Sequence, residues 1–283
     1  MKKIAFITDS TAYLDKEYAK AHQIKVVPLN LHWNDDVFKD NVDITPEAFY
    51  TRLAKSDTLP TTSQPSAGEF LEAYEAMAEE ADELVVPLIS SGISGTVDSA
   101  MMAAKEFKKV PVHVIDSKTT SAGLSLLIKA MVNAVKNGSK VEDVLTLGER
   151  IVKDSRIYFV VDTLKYLHMG GRIGGASAFL GSALDLKPIL TLSEEGKIDA
   201  LEKVRTKKKA VKRLIELTVE KAGGKPAFVG IIHAEAREDA EMIKAELESQ
   251  INCLDSEIYI ISPVIGTHTG PGALAVGLHT VTG

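Results

Sequence analysis

Three serines, two glycines and no lysine fall within Ser90-Ser91-Gly92-Ile93-Ser94-Gly95-Thr96. These residue types suit a small anion. Glycines let backbone N–H groups approach a ligand closely, and a helix starting near Gly95 would add positive partial charge at its N-terminus. With no lysine present, a single carboxylate fits better than a polyphosphate. Two other readings of the same residues stand beside this one. An ordinary strand-to-helix turn with a serine cap needs no ligand at all. A serine hydrolase or acyltransferase would use Gly92-Ile93-Ser94-Gly95-Thr96 as a nucleophile elbow, with Thr96 where the last glycine is expected and His268 as the base.

Four further stretches hold candidate chemistry. Ser262–Gly272 sets His268 among glycines, prolines and hydroxyls, in what reads as a loop with no core to fill; its imidazole could donate to a carboxylate or act as a base near neutral pH. Leu59–Ser66 is a hydroxyl-rich loop stiffened by two prolines, and it contains Thr62. Tyr166–Gly175 is too glycine-rich for a helix interior and reads as a flexible crossover between domains. It matches neither the dinucleotide fingerprint nor the phosphate-binding loop. Lys203–Arg213 holds seven basic residues and no acidic one. A helix beginning near Thr206 would put Lys207, Lys208 and Lys209 in its first turn, the unfavourable end for cations. A docking surface and a solvated charged face both explain that run. No His-Glu-x-x-His pair and no calcium-loop spacing occurs, so neither a metal nor a cofactor is expected.

The elements that must position these residues are legible. Short apolar, β-branched runs at Ile4–Thr8, Ile24–Leu31, Leu84–Ile89, Val112–Asp116, Ile157–Asp162, Ile189–Leu192, Ile198–Val204, Ala227–His233 and Glu257–Ile261 predict strands, with helical patterns between most of them. Thr45-Pro46 and the capping box Ser66-Ala67-Gly68-Glu69 predict helix starts. A long apolar helix from near Thr119 to Asn137-Gly138 carries apolar residues on most sides and should be sandwiched. Glu194-Glu195-Gly196-Lys197 predicts a hairpin turn. The fold class is therefore α/β with two domains. The first, 1–155, has a mainly parallel sheet flanked by helices, and the second, 156–283, has a mixed sheet and helices.

Composition limits the function. A net charge of −6 in 283 residues argues against a general nucleic-acid binder. Cys253 is the single cysteine, so no intrachain disulfide or thiolate metal site is expected. The N-terminal apolar run stops at Asp9, short of a signal peptide, and no run approaches the roughly 18–20 residues of a membrane span. A cytoplasmic protein is expected.

Taken in order, Ile7-Thr8-Asp9-Ser10-Thr11-Ala12, Thr62-Ser63-Gln64-Pro65-Ser66, Ser90–Thr96, Val161-Asp162-Thr163-Leu164 with Gly170-Gly171-Arg172-Ile173, and Ser262–Gly272 resemble the DegV family of bacterial lipid-binding proteins over essentially the whole chain. The resemblance implies two α/β domains, a buried long-chain fatty acid, and a non-catalytic binding subunit that presents the acyl carboxylate to a separate ATP-binding kinase subunit for acyl-phosphate formation. It also implies that Thr62, Ser94 and His268 hold the carboxylate and that Arg205 engages the kinase; read from the residues themselves, the backbone N–H groups at Gly95 and Thr96 could add donors. Transient contact with a membrane surface is compatible with such a role. One departure is His168-Met169, where the family commonly carries two basic residues before Gly-Gly-Arg-Ile; this weakens a phosphate or partner role for that loop. The hydrolase and carrier readings part on one measurement. Turnover of an activated acyl ester that vanishes in Ser94→Ala is the hydrolase outcome, and the carrier reading expects none.

Overall fold

In the computed structural model, which describes residues 2–181 and 186–281, the chain builds three sheets and ten α-helices among the described residues. It opens with β1 (Ile4–Asp9), α1 (Lys16–Ala21), β2 (Ile24–Val27), β3 (Asn30–Trp33), β4 (Asp36–Lys39), α2 (Pro46–Leu53) and β5 (Thr61–Ser63). Next come α3 (Ala67–Met77), β6 (Glu83–Leu88), α4 (Thr96–Glu106), β7 (Val112–Asp116), α5 (Ser121–Lys136) and α6 (Val141–Asp154). Then follow β8 (Arg156–Val160), α7 (Lys165–Met169), β9 (Lys187–Leu192), β10 (Ile198–Val204) and α8 (Lys207–Ala222). The chain closes with β11 (Ala227–His233), α9 (Arg237–Gln250), β12 (Cys253–Ile260), α10 (Pro263–Thr269) and β13 (Leu274–Thr280).

The first sheet is parallel throughout, in the order β2-β1-β6-β7. Its strands are apolar on both faces because both are covered. Ala5, Ile7, Leu84, Val86 and Leu88 pack with residues of α3 and α4. The alternate positions Phe6 and Val85 pack with Leu124, Leu127, Ile128 and Met131 of α5. The last sheet is mixed, in the order β10-β9-β8-β13-β11-β12, with only β11 and β12 parallel. One of its faces lies under α8 and α9. The other, carrying Ile157, Phe159, Leu190, Ile232 and Ala275, turns toward the rest of the chain. The hairpin between β9 and β10 turns through Gly196 at φ +74°, where a glycine is needed.

Helix α5 is sandwiched, as its all-round apolar pattern predicts. It touches β6 of the first sheet and β11 and β13 of the last. Ser125 shares a hydrogen bond with the Tyr259 hydroxyl at 3.2 Å, and Lys129 pairs with Glu257.

Four expectations are corrected. The run Ile24–Leu31 is two strands in two sheets, because Pro28 cannot donate to the ladder. Its second part, β3, lies between β4 and β5 in a small antiparallel sheet. The supposed Leu59–Ser66 loop contains a strand, β5, which pairs Leu31 with Thr62. The Ser262–Gly272 loop is mostly α10, started by Ser262 and Pro263 at the first helical position. Strand β13, not expected at all, sits in the middle of the mixed sheet; Gly277 and His279 interrupt its apolar run and hide it.

The α5 seam generates a stability expectation. A Cβ at Gly230 on β11 would stand 2.3 Å from the Ala122 Cβ at the start of α5. Gly230→Ala is expected to lower unfolding stability by about 1–3 kcal/mol through overpacking, read by denaturant titration.

Candidate functional site

The serine-glycine segment leaves the end of β6 and is tied on every side. Asp9 accepts from the Ile89 N–H at 2.7 Å, just before the segment begins. The Ser90 N–H donates to the Thr119 carbonyl at 2.8 Å, and Ser90 Oγ donates to the Gly196 carbonyl of the hairpin turn at 2.9 Å. Ser91 N–H reaches Asp116, which also pairs with Lys118. The first sheet is thereby fastened to the last. Ser94 Oγ and Thr96 Oγ1 share a hydrogen bond of 2.8 Å at the start of α4.

Opposite this segment stand β5 and α10. Thr62 Oγ1 and His268 Nε2 lie 2.8 Å apart, 206 residues apart in the chain. Helix α10 holds His268 down on Gly170, where a Cβ would lie 2.2 Å from His268 Nδ1, so no other residue fits at position 170 without moving the ring. Arg172 then closes the gap. Its Nε donates to the Ile93 carbonyl at 3.3 Å and its Nη1 to the Gly170 carbonyl at 2.9 Å. The segment expected to be a flexible crossover is therefore a strut. Helix α7 ends before the glycines, and Arg172 joins it to the serine-glycine segment.

Thr62, Ser94 and His268 line one cavity, together with Gln64, Ile93, Arg172 and Thr120. The remaining wall is largely apolar and includes Ile157, Phe159, Leu192, Ile198, Ile232 and Ala275 from the inner face of the mixed sheet. The cavity encloses about 850 Å³, part of it open to solvent. Gly95 does not itself line it; Gly95 precedes α4 and backs onto the Gln64 amide. Thr120 escaped notice in the sequence because a lone hydroxyl carries no local signal, and Gln64 lay in a flagged stretch without being singled out.

The electrostatics decide what His268 can do. Burial, with the nearby Arg172 charge, pushes its pKa down to about 4. The ring is neutral at neutral pH and is a weak base there, which corrects the expectation of a base near neutrality. Among the described residues its buried Nδ1 has no hydrogen-bond partner, and no carboxylate orients it. Its Nε2 is engaged by Thr62, and the Ser94 hydroxyl by Thr96. No hydrogen bond joins Ser94 to His268 among the described residues, so the nucleophile-base pair of a hydrolase is not assembled.

Arg205 is exposed beyond the end of β10, away from the cavity lining. The basic run around it is partly neutralised: Lys207 pairs with Asp239, and Arg213 with Glu202, Glu216 and Glu220. Among the described residues no cluster of three or more His, Cys, Asp or Glu side chains could hold a metal, and no helix is long and apolar enough to cross a membrane.

Comparison with known proteins gives consistent results. The family model for DegV, described as uncharacterised proteins of the DegV family, matches residues 3–281. Protein DegV of Bacillus subtilis is 38% identical over 275 residues, covering 96% of this chain and 98% of that protein. A DegV family protein of Thermus thermophilus, whose structure is described as one of fatty acid binding, superposes with a TM-score of 0.94 at 33% identity over 99% of this chain and 100% of that one. The crystal structure of DegV from Bacillus subtilis, described as a fatty acid binding protein, gives a TM-score of 0.92 at 36% identity with 99% and 100% covered.

The lowered pKa of His268 makes stability depend on pH in a defined direction. The folded chain refuses a proton that the unfolded chain accepts below the ordinary 6.5, so the contribution is complete above pH 6.5 and lost as pH falls toward 4. Between pH 7 and 4.5 the protein is expected to lose about 2–3 kcal/mol more unfolding free energy than His268→Gln does. Chemical denaturation of the two proteins across that range reads the difference, and the titration of every other group cancels.

Proposed function

The chain belongs to the DegV family, and from that premise we propose that it binds a long-chain fatty acid in the cavity and presents the acyl carboxylate to a separate ATP-binding kinase subunit in the cytoplasm. The observation that carries this reading is the cavity itself. Thr62, Ser94, Arg172 and His268 line it together, and its wall is otherwise mainly hydrocarbon. A methylene chain fits such a space. About ten buried methylenes supply on the order of 8 kcal/mol before the ordering cost of binding is subtracted.

The head group needs donors, because a carboxylate withdrawn from water without hydrogen bonds takes up a proton instead. The hydroxyls of Thr62 and Ser94 supply two. The neutral His268 ring, donating from Nε2 to Thr62 Oγ1, turns the Thr62 proton toward the carboxylate. In that tautomer Nδ1 keeps only a lone pair, which suits its unpartnered place against Gly170. Gly95 contributes through the main chain, where the first N–H groups of α4 have no helical partner. The Arg172 guanidinium adds positive charge to the same wall. No group here needs to be a nucleophile, so the chain acts as a binding subunit and the phosphoryl chemistry belongs to its partner. Arg205, exposed and clear of the cavity, is the residue assigned to that partner's docking surface.

Native mass spectrometry of the protein purified from lipid-replete cells is expected to show a co-bound mass in the fatty-acid range. A bare chain under gentle conditions is the result that would sink the reading. Ser94→Ala is expected to weaken acyl binding about 10- to 100-fold, the worth of one hydrogen bond to a charged group. Arg205→Ala is expected to leave acyl affinity unchanged and to slow transfer to the kinase. Equal loss of binding in both variants would contradict the division of roles.

A further inference from the structure

The segment Thr8-Asp9-Ser10-Thr11 contributes nothing to the cavity lining, yet Asp9 and Ser10 are wholly or nearly buried and every oxygen of their side chains is used. Asp9 accepts from Ile89 N–H at 2.7 Å and from the N–H and hydroxyl of Thr11 at 2.9 and 2.6 Å. Ser10 Oγ accepts from Leu29 N–H at 3.2 Å and donates to Asp40 Oδ2 at 2.7 Å. Asp40, also fully buried, accepts at its other oxygen from Val264 N–H, 3.1 Å away in the first turn of α10. Ile89 immediately precedes the serine-glycine segment, and Val264 lies one turn before His268. Two adjacent residues of β1 and its following turn thus tie down both sides of the polar end of the cavity.

We propose that Asp40, held by Ser10, is the positioning residue of this site: it fixes the first turn of α10 and through it the seat of His268 on Thr62. This rests on the fatty-acid reading above. The lever is short. Val264 and His268 are separated by about 6 Å of helix rise, so a tilt of about 10° at the N-terminus moves the imidazole by about 1 Å. That is enough to break a hydrogen bond of 2.8 Å. The other contacts at this end of α10 do not replace the carboxylate. Ser262 N–H donates to the Tyr13 hydroxyl at 3.1 Å, outside the helix proper, and the Tyr50 hydroxyl lies over Gly266 without a hydrogen-bond partner. Burial, with Asp9 nearby, pushes the Asp40 carboxyl up to about 6, while the bonds from Ser10 and Val264 oppose that shift.

The test compares wild type with Asp40→Ala, Asp40→Asn, Ser10→Ala and Leu214→Ala, each checked for folding by thermal melting. Affinity is read by displacement of a fluorescent long-chain acid with palmitate, and the His268 imidazole by its Cε1–H resonance. Asp40→Ala is expected to weaken affinity about tenfold or more and to shift the His268 resonance. Asp40→Asn should restore both, since its oxygen can accept from Val264 and its amide can donate to Ser10. Leu214→Ala lowers stability from the opposite face of the mixed sheet and should change neither. Ser10→Ala, which removes only a hydroxyl, is expected to cost about threefold or more in affinity and carries the test if Asp40→Ala does not fold. A folded Asp40→Ala or Ser10→Ala with wild-type affinity and an unmoved His268 resonance overturns the proposal and leaves the fatty-acid reading standing. A wild-type chain that takes up no acid overturns both.

Discussion

A polar atom withdrawn from water must find a partner, and at the seam of this protein the partners come from distant parts of the chain. Thr62 meets His268, Asp40 meets Val264, Ser90 meets Gly196, and Arg172 meets Ile93. Each bond joins segments that are remote in sequence. The two large sheets and the small antiparallel sheet could each be satisfied internally. It is these seam bonds that make their relative placement a single answer, because an unpaired buried donor or acceptor costs about 1–3 kcal/mol.

The same seam explains why polar and apolar surfaces are separated inside one cavity. The inner face of the mixed sheet offers side chains at alternate positions, and Ile157, Phe159, Ile232 and Ala275 leave no polar atom there. Polar groups enter from the serine-glycine segment, β5, the Arg172 strut, α10 and the start of α5. An amphipathic ligand with one charged end and a long apolar body matches that layout. Neutral His268 adds hydrogen-bonding capacity without a charge of its own, and Arg172 carries the positive charge.

Much of the architecture was legible locally. Parallel strands buried on both faces read as unbroken apolar runs, and caps such as Ser66 with Glu69 and Thr206 with Lys209 mark helix starts that the structure contains. The elements that escaped are those whose local pattern is broken or misleading. Strand β13 is interrupted by Gly277 and His279, Pro28 divides an apparently continuous strand, and α10 is a helix despite its glycine, proline and hydroxyls. For β13 and α10 tertiary contacts override propensity: β13 is paired on both sides, and α10 is fixed at its first turn by Asp40.

The sequence by itself determined the α/β class, the parallel and mixed character of the two large sheets, and the residue types that could hold an anion. Those follow from periodicity and side-chain chemistry, which are local properties. Only the tertiary structure decided that Thr62 and His268 form a pair, that Arg172 braces the segment containing Ser94, and that His268 is a neutral, buried group rather than a base for Ser94. Hydrogen-bond partners and pKa values depend on what surrounds an atom in three dimensions. The serine-glycine segment looked like a nucleophile elbow in sequence; in the fold its Ser94 hydroxyl is bonded to Thr96 and His268 is bonded elsewhere.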